Sequence, residues 1–385
     1  MHGAGYESLK HFGLCLSSFN LAPQHFGCKQ VDQQMITFLV FLPFLLGFVV
    51  IGVYAERKIA GFVQNRLGPT EVGPIGLLQT VADLVKMLQK EDVRPKAIDK
   101  PLFLVAPIVI FVSIFAGFAA LPLTEGVDGA GFSVGVFYLL AIVSIDVLGV
   151  LMAGWGSNNK YSLYGAMRAA AQIVSYEIPL GLSVLCVVMY GQSLDLQQLS
   201  IQQGVLSDAP AYFLGVKGWD VSEVGGFLTW NVFTMPVLWV AFLIFFIAGL
   251  AESNRVPFDL PESESELIGG YHTEYSGFRW GVFMLSEYAM MLLVSLLAAI
   301  LFLGGWNTPL PNIGGLQLAT YTTGPVWGAF WLAGKGLFLI FLQMMIRWTY
   351  PRLRVDQLMN LSWKYLTPAA ILLLFIVGIW KLWML

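Results

Sequence analysis

The chain has 385 residues, 57% of them hydrophobic and 12% charged, with a formal net charge of −3. An average soluble domain is about 25% charged, so the composition excludes a soluble globular enzyme and predicts an all-α polytopic membrane protein. Three cysteines without a CxxC pair, and four histidines of which none falls in an apolar run, exclude a self-contained iron–sulfur or zinc site and a transmembrane bis-histidine haem; no Walker loop or GxGxxG offers a nucleotide site.

Residues 1–33 are polar, too weakly apolar for a signal-peptide core, and predict an extracytoplasmic N-terminal extension ahead of a membrane domain at 34–385. Cys15 and Cys28 lie in that extension and are either a disulfide on the oxidising side of a bacterial membrane or two free thiols. A hydrocarbon core of about 30 Å takes roughly 20 apolar residues of helix. Eight stretches satisfy this: 34–55, 101–122, 134–155, 173–192, 230–251, 280–303, 327–348 and 364–384. The 173–192 stretch is the weakest, with Glu177 and Pro179 near its start.

The loop at 56–100 opens with AERKIAGFVQNRLGPTEVGPIG, in which Gly68-Pro69 and Gly73-Pro74 predict a rigid turn. Leu77, Leu78, Val81, Leu84, Val85 and Leu88 then recur at helical spacing, with Gln79, Asp83, Lys86 and Lys90 elsewhere. Such a helix is too polar to span and should lie in the interface plane. It either packs on the bundle or frames a lateral opening for a lipid-soluble substrate. The loop at 156–172 is rich in small residues (Gly165, Ala166, Ala169, Ala170, Ala171) that permit close helix approach. The external insert 193–229 carries no readable function.

The segment AESNRVPFDLPESESELIGGYHTEYSG, 251–277, packs six carboxylates into one loop between two spans: Glu252, Asp259, Glu262, Glu264, Glu266 and Glu274. Glu262 and Glu266 share a face if the segment is helical, and like charges that close raise each other's pKa, so some should hold protons near neutral pH. Arg255, Phe258, Tyr271 and Tyr275 are interleaved with them, which a merely solvated acidic loop does not require. Asp146, Glu287 and Lys335 fall inside spans, at roughly 15, 12 and 18 Å from the cytoplasmic helix ends at 1.5 Å per residue. Glu177 and Glu252 sit near cytoplasmic ends. Ionisable groups at such depth mark ion or proton paths, or structural pairs such as Asp146 with Lys335. Lys and Arg fix the orientation: 16 of 21 fall in the loops 56–100, 156–172, 252–279 and 347–364, which puts these loops in the cytoplasm and both termini outside.

Four segments carry a resemblance: AERKIAGFVQNRLGPTEVGPIGLLQTVADLVKMLQKE, GWGSNNKYSLYGAMRAAAQIVSYE, AESNRVPFDLPESESELIGGYHTEYSG and IRWTYPRLRVDQLMNLSWKYLTP. In order, from about residue 34 to the C-terminus, they resemble the H-subunit family of proton-pumping NADH:quinone oxidoreductase, respiratory complex I, whose mitochondrial counterpart is NADH dehydrogenase subunit 1. The resemblance implies a membrane subunit that forms part of a quinone chamber and couples quinone reduction to proton translocation through buried carboxylates. It implies no redox centre in this chain, quinone as substrate, FMN and iron–sulfur clusters in partner subunits, and hydrophilic quinone-module, small and antiporter-like membrane subunits as partners, in a bacterial inner membrane. Carried onto this sequence, the coupling set is Glu177, Glu252, Arg255, Asp259, Glu262, Glu264, Glu266, Glu274, Glu287 and Lys335, to which the reading of the spans adds Asp146. The quinone chamber and its entrance take Glu56, Arg57, Arg66, Asp83 and Phe258; no metal ligand set is implied. The rival readings are the equivalent subunit of a membrane-bound hydrogenase and a stand-alone transporter. The latter requires a midplane site between broken helices, and only Pro179 suggests a break.

Overall fold

The computed structural model describes the backbone of residues 28–124, 132–204, 212–215, 221–222, 224–261, 264–312 and 317–384, and side chains from residue 43 onward within them except at 264, 265 and 384. Among the described residues the chain is helical with no strand. The helices used below are α1 (Cys28–Val63), α2 (Gln79–Gln89), α3 (Lys100–Phe118), α4 (Gly135–Val143), α5 (Asp146–Gly156), α6 (Lys160–Gly191), α7 (Val237–Glu252), α8 (Gly277–Phe302), α9 (Pro325–Thr349) and α10 (Val355–Trp383). Six helices are long and apolar enough to cross a membrane among the described residues: α3, α4 with α5, α6, α8, α9 and α10. The start of α1 and the Cys15–Cys28 expectation lie outside the described side chains.

Local chemistry sets the helix starts. Pro101 is the second residue of α3 and Pro325 the first of α9, first-turn positions where a missing N–H costs nothing. Asn159 caps α6, its side chain accepting from Tyr161 N at 3.0 Å. Two predicted boundaries need correction. Helix α6 begins at Lys160 rather than 173, so most of the predicted loop 156–172 is helix. Its alanine-rich face loses no side-chain entropy in a helix and carries α6 to about 48 Å. Helix α7 begins at Val237 rather than 230, because Pro236 interrupts it after the short turn Asn231–Thr234.

Helix α8 is the axis of the bundle: 89% of its apolar window is buried within the chain. It packs against α3, α7, α9, α1 and α2. Small residues permit the close contacts. A Cβ on Gly149 of α5 would come within 2.3 Å of Ile110 on α3, and one on Gly154 within 2.2 Å of Ala166 on α6. Ala166 and Ala169 are fully buried, as their spacing predicts, whereas Ala171 is exposed.

Candidate functional site

The conformation of one loop positions the site. Helix α7 ends at Glu252, and Asn254 turns the chain with a left-handed φ of 50°. Gln172 of α6 holds this end by donating to Ala251 O at 2.7 Å and Asn254 Oδ1 at 3.2 Å. The turn delivers Arg255 into the bundle, where its Nη1 donates to both carboxylate oxygens of Glu56 on α1, at 3.1 and 3.0 Å. The Tyr288 hydroxyl of α8 donates to Glu56 Oε2 at 2.5 Å, and Arg347 of α9 donates to Glu56 Oε1. The Arg255 guanidinium lies 4.2 Å over the Tyr288 ring. Burial works against the Arg255 charge, but Glu56, with Tyr288 and Glu287 behind it, holds its pKa above the ordinary arginine value. One largely buried cluster thus ties the loop after α7 to α1, α8 and α9.

Glu56, Tyr288 and Arg347 of the cluster line a cavity of about 500 Å³, together with Arg57, Arg66, Met87, Trp280, Met284 and Trp348. A second cavity, of about 420 Å³, shares Arg57, Met87 and Trp280 with it and adds Asp83, Lys86 and Lys90. Arg57 donates to Asp83 Oδ2 at 2.5 Å, which pins α2 to the end of α1. The apolar walls of the larger cavity suit a largely apolar ligand with a small polar head, whereas the second is lined mainly by charged and polar groups.

On the other side of α8 lies a small polar pocket. Asp146, Glu252 and Glu287 line it with Asn254, Ser286 and Tyr271. Its volume is about 10 Å³, near the room one water needs. Asp146 Oδ1 and Glu252 Oε2 are buried and take no hydrogen bond from any described residue. Glu177 and Asp146 both act electrostatically on Glu252. The half-buried Glu177 is bonded in turn to Ser144, at the break between α4 and α5.

Residues 35–378 match the NADH dehydrogenase family. The chain belongs to the NADH dehydrogenase family. It is similar to an NADH-quinone oxidoreductase H subunit of Cytophaga hutchinsonii, the second of that name, with 53% identity over 363 residues that cover 91% of this chain and 100% of that protein. It is also 53% identical over 373 residues to the NADH-quinone oxidoreductase H subunit of Chlorobaculum tepidum, covering 97% and 98% of the two chains. The corresponding H subunit of Bacillus mycoides is 46% identical over 338 residues, covering 88% and 90%. Family membership and the apolar helices together make this a multi-pass membrane protein.

Within this member of the NADH dehydrogenase family, the residues singled out from sequence divide into three groups. Glu56, Arg57 and Arg66 line the larger cavity and Asp83 the adjoining one. Asp146, Glu252 and Glu287 meet in the carboxylate pocket, with Arg255 between the two sites. The rest lie elsewhere. Phe258 lines neither of these two cavities; it is buried in the core, its ring 5.3 Å from that of Tyr176. Asp259 is bonded by Arg352 at 2.9 Å, Glu266 by Arg168 at 2.6 Å and Glu274 by Asn159 at 2.6 Å. Glu262 and the side chain of Glu264 lie outside the described residues.

Lys335 does not pair with Asp146. Its Nζ donates to Leu303 O at 2.6 Å, Gly305 O at 2.9 Å and Asn307 O at 2.6 Å, and sits 4.3 Å over the Trp230 ring. All three ammonium protons are used on the carbonyls beyond the C-terminal end of α8, the end opposite the acidic loop. The amine ties the chain just beyond the end of α8 to α9. Sequence reasoning misses Tyr288, Arg347, Trp280 and Met87 as site residues. Tyr288 has a signal, being the neighbour of Glu287; Arg347 reads in sequence only as one of the orienting charges.

Proposed function

We propose that this chain is the membrane subunit of a proton-translocating NADH-quinone oxidoreductase in a bacterial inner membrane, with both termini outside. Its larger cavity takes the quinone, and its carboxylate pocket couples quinone reduction to proton movement. The observation that carries this reading is the placement of Glu287 and Tyr288. They are sequence neighbours on α8, yet Tyr288 lines the large cavity and Glu287 lines the carboxylate pocket. Arg255 bonds Glu56 on the cavity side and feels the charge of Glu287 on the other.

A mechanism follows from these contacts. The quinone tail lies along the apolar walls near Met87, Met284 and Trp348, and the head approaches the polar wall. Iron–sulfur clusters and FMN held by partner subunits would supply the electrons that the head takes up. Reduction changes the charge in the cavity, and the Glu56–Arg255–Arg347–Tyr288 cluster is the first protein charge to feel it. Any shift of Arg255 toward or away from Glu56 alters the field at Glu287 in an interior where charges are weakly screened. Glu287, Glu252, Asp146 and Glu177 then exchange protons through the pocket, which has room for about one water. The outer contacts of Glu266 and Glu274 fix the loop that closes the pocket.

The test uses the purified assembly. Glu252→Gln and Glu177→Gln keep side-chain shape but cannot titrate. Both are expected to leave the assembly and electron transfer to hydrophilic acceptors intact. Quinone reduction and the proton transport linked to it should fall at least tenfold, the scale of losing one acid–base group. Normal pumping by both assembled variants would make the pocket structural.

A further inference from the structure

We propose that His272 is the proton-holding and positioning residue for Glu287, standing between the acidic loop and the buried carboxylate pocket. This role rests on the carboxylate path proposed above. His272 ends the turn Gly270–His272, and its Nε2 lies 3.5 Å from Glu287 Oε1, with side-chain exposures of 4% and 12%. Its ring is clamped: the Tyr271 ring centroid is 3.8 Å away and that of Phe283 4.8 Å. The backbone is clamped as well. His272 N donates to Gly269 O at 3.2 Å, and Tyr275 N donates to His272 O at 3.0 Å. Gly165 of α6 lies so close beneath the turn that a Cβ there would come within 2.7 Å of Gly270 Cα.

The chemistry distinguishes this residue from its neighbours. A histidine ordinarily titrates near about 6.5, whereas a carboxylate in water has given up its proton two decades lower. Neutral imidazole also has one nitrogen free to accept a proton, and imidazolium can give that proton up again. In the step envisaged, the imidazolium Nε2–H bond breaks and an O–H bond forms at Glu287 Oε1. Both partners end neutral: His272 keeps its proton on Nδ1, and Nε2 is the nitrogen left free to take a proton again. The neighbouring carboxylates favour proton uptake at Glu287 and the Arg255 cation opposes it, so the charges around the pocket hold the exchange in balance. Glu287 on α8 is the acid at the ring, with Asp146 on α5 and Glu252 on α7 across the pocket. Arg255 acts on Glu287 from the cluster side. Helix α6 meets the turn through the uncharged Gly165 and Ser162, whose hydroxyl donates to Tyr271 O at 3.3 Å. Arg279 turns away to Asp92 at 3.1 Å, and Glu274 to Asn159 at 2.6 Å.

The experiment measures quinone reduction and acidification in proteoliposomes of the purified assembly, between about pH 6 and pH 8.5, with electron transfer to a hydrophilic acceptor as the internal control. The unmodified assembly should show an inflection in coupled rate in the range where histidine titrates. His272→Asn and His272→Gln should each assemble, keep the control activity, lose about tenfold or more of proton transport, and flatten that inflection. The double variant His272→Asn with Glu287→Gln should lose little beyond Glu287→Gln alone, since both act in one step. A parent-like rate and pH profile in either assembled histidine variant overturns the proposal. So does the absence of the inflection in the unmodified assembly, which decides the matter if neither variant assembles. Parent-like histidine variants beside an impaired Glu287→Gln sink this inference alone; a parent-like Glu287→Gln sinks the carboxylate path with it.

Discussion

Arg255→Gln tests whether the cluster at Glu56 is a compensated buried charge. Arg255 and Glu56 expose only 7% and 6% of their side chains. Removing one partner of such a pair leaves the other charge in a poorly solvating interior, a change that costs about 3–5 kcal/mol. Glu56 would keep Arg347 and the Tyr288 hydroxyl, and the Arg347 side chain is 29% exposed, so the low end applies. A loss of about 3 kcal/mol is roughly 100-fold in an equilibrium constant. A membrane assembly rarely unfolds reversibly, so the half-life of the detergent-purified complex at fixed temperature is the proper measure. It should shorten by up to roughly 100-fold in Arg255→Gln. The double variant Arg255→Gln with Glu56→Gln also removes the buried carboxylate and leaves Arg347, 29% exposed, to water; it should recover part of that loss, because a buried carboxylate short of one partner costs more than two matched neutral groups. Quinone reduction should stay low in the double variant, which removes Glu56 from the cavity wall. If the single variant is as durable as the parent, or the double variant no better than the single, the cluster is not a charge-compensated tie and the reasoning fails.

Met87 lines both cavities, so Met87→Trp should slow long-tailed quinones several-fold more than short water-soluble ones; equal slowing would mean the two cavities are not one path. Cysteines at the exposed positions Gln357 and Gln198 should react with impermeant reagents from opposite sides, Gln357 from the cytoplasm and Gln198 from outside, and reversed labelling would overturn the orientation read from the positive charges. Lys335→Met leaves three carbonyls without their donor and should destabilise the assembly by about 3 kcal/mol. It should do so without altering the pH profile of coupled turnover, and a pumping defect in a stable Lys335→Met assembly would put Lys335 back on the proton path.

The fold was legible wherever apolar length alone decides. The stretches 101–122, 280–303 and 327–348 correspond closely to Lys100–Phe118, Gly277–Phe302 and Pro325–Thr349. Legibility failed where a helix does not stop at the membrane edge. The residues from Lys160 to Gln172 carry Lys160, Arg168 and Gln172 and so read as a loop, yet they pack on α5 and the acidic loop and remain helical. A hydropathy threshold registers burial in lipid and is blind to burial in protein, which is what holds this stretch. The same limit shortened α7, where a run of Trp, Val, Phe and Met kept the apolar count high through Pro236.

The site was legible as residue types and not as partners. That Glu56, Arg255 and Glu287 are too charged for their surroundings is visible in one dimension. That Glu56 needs two arginines and a tyrosine from three other segments is not, since Arg255, Tyr288 and Arg347 lie 199, 232 and 291 positions away. Helix phase explains why Glu287 and Tyr288 serve different sites. Successive residues on a helix point about 100° apart, and α8 is enclosed on both flanks. The Tyr288 ring faces α1, lying 3.6 Å from where a Cβ on Gly52 would sit. Glu287 faces the pocket shared by Ile110 and Ile114 of α3 and Val150 of α5. On a helix at the edge of the bundle, one of these two side chains would face lipid. Because α8 is central, one turn of backbone bridges a cavity wall and a buried acid pocket, and a rotation or axial shift of that turn would move both at once. This makes α8, rather than a chain of separate side-chain contacts, the shortest mechanical link between the two sites.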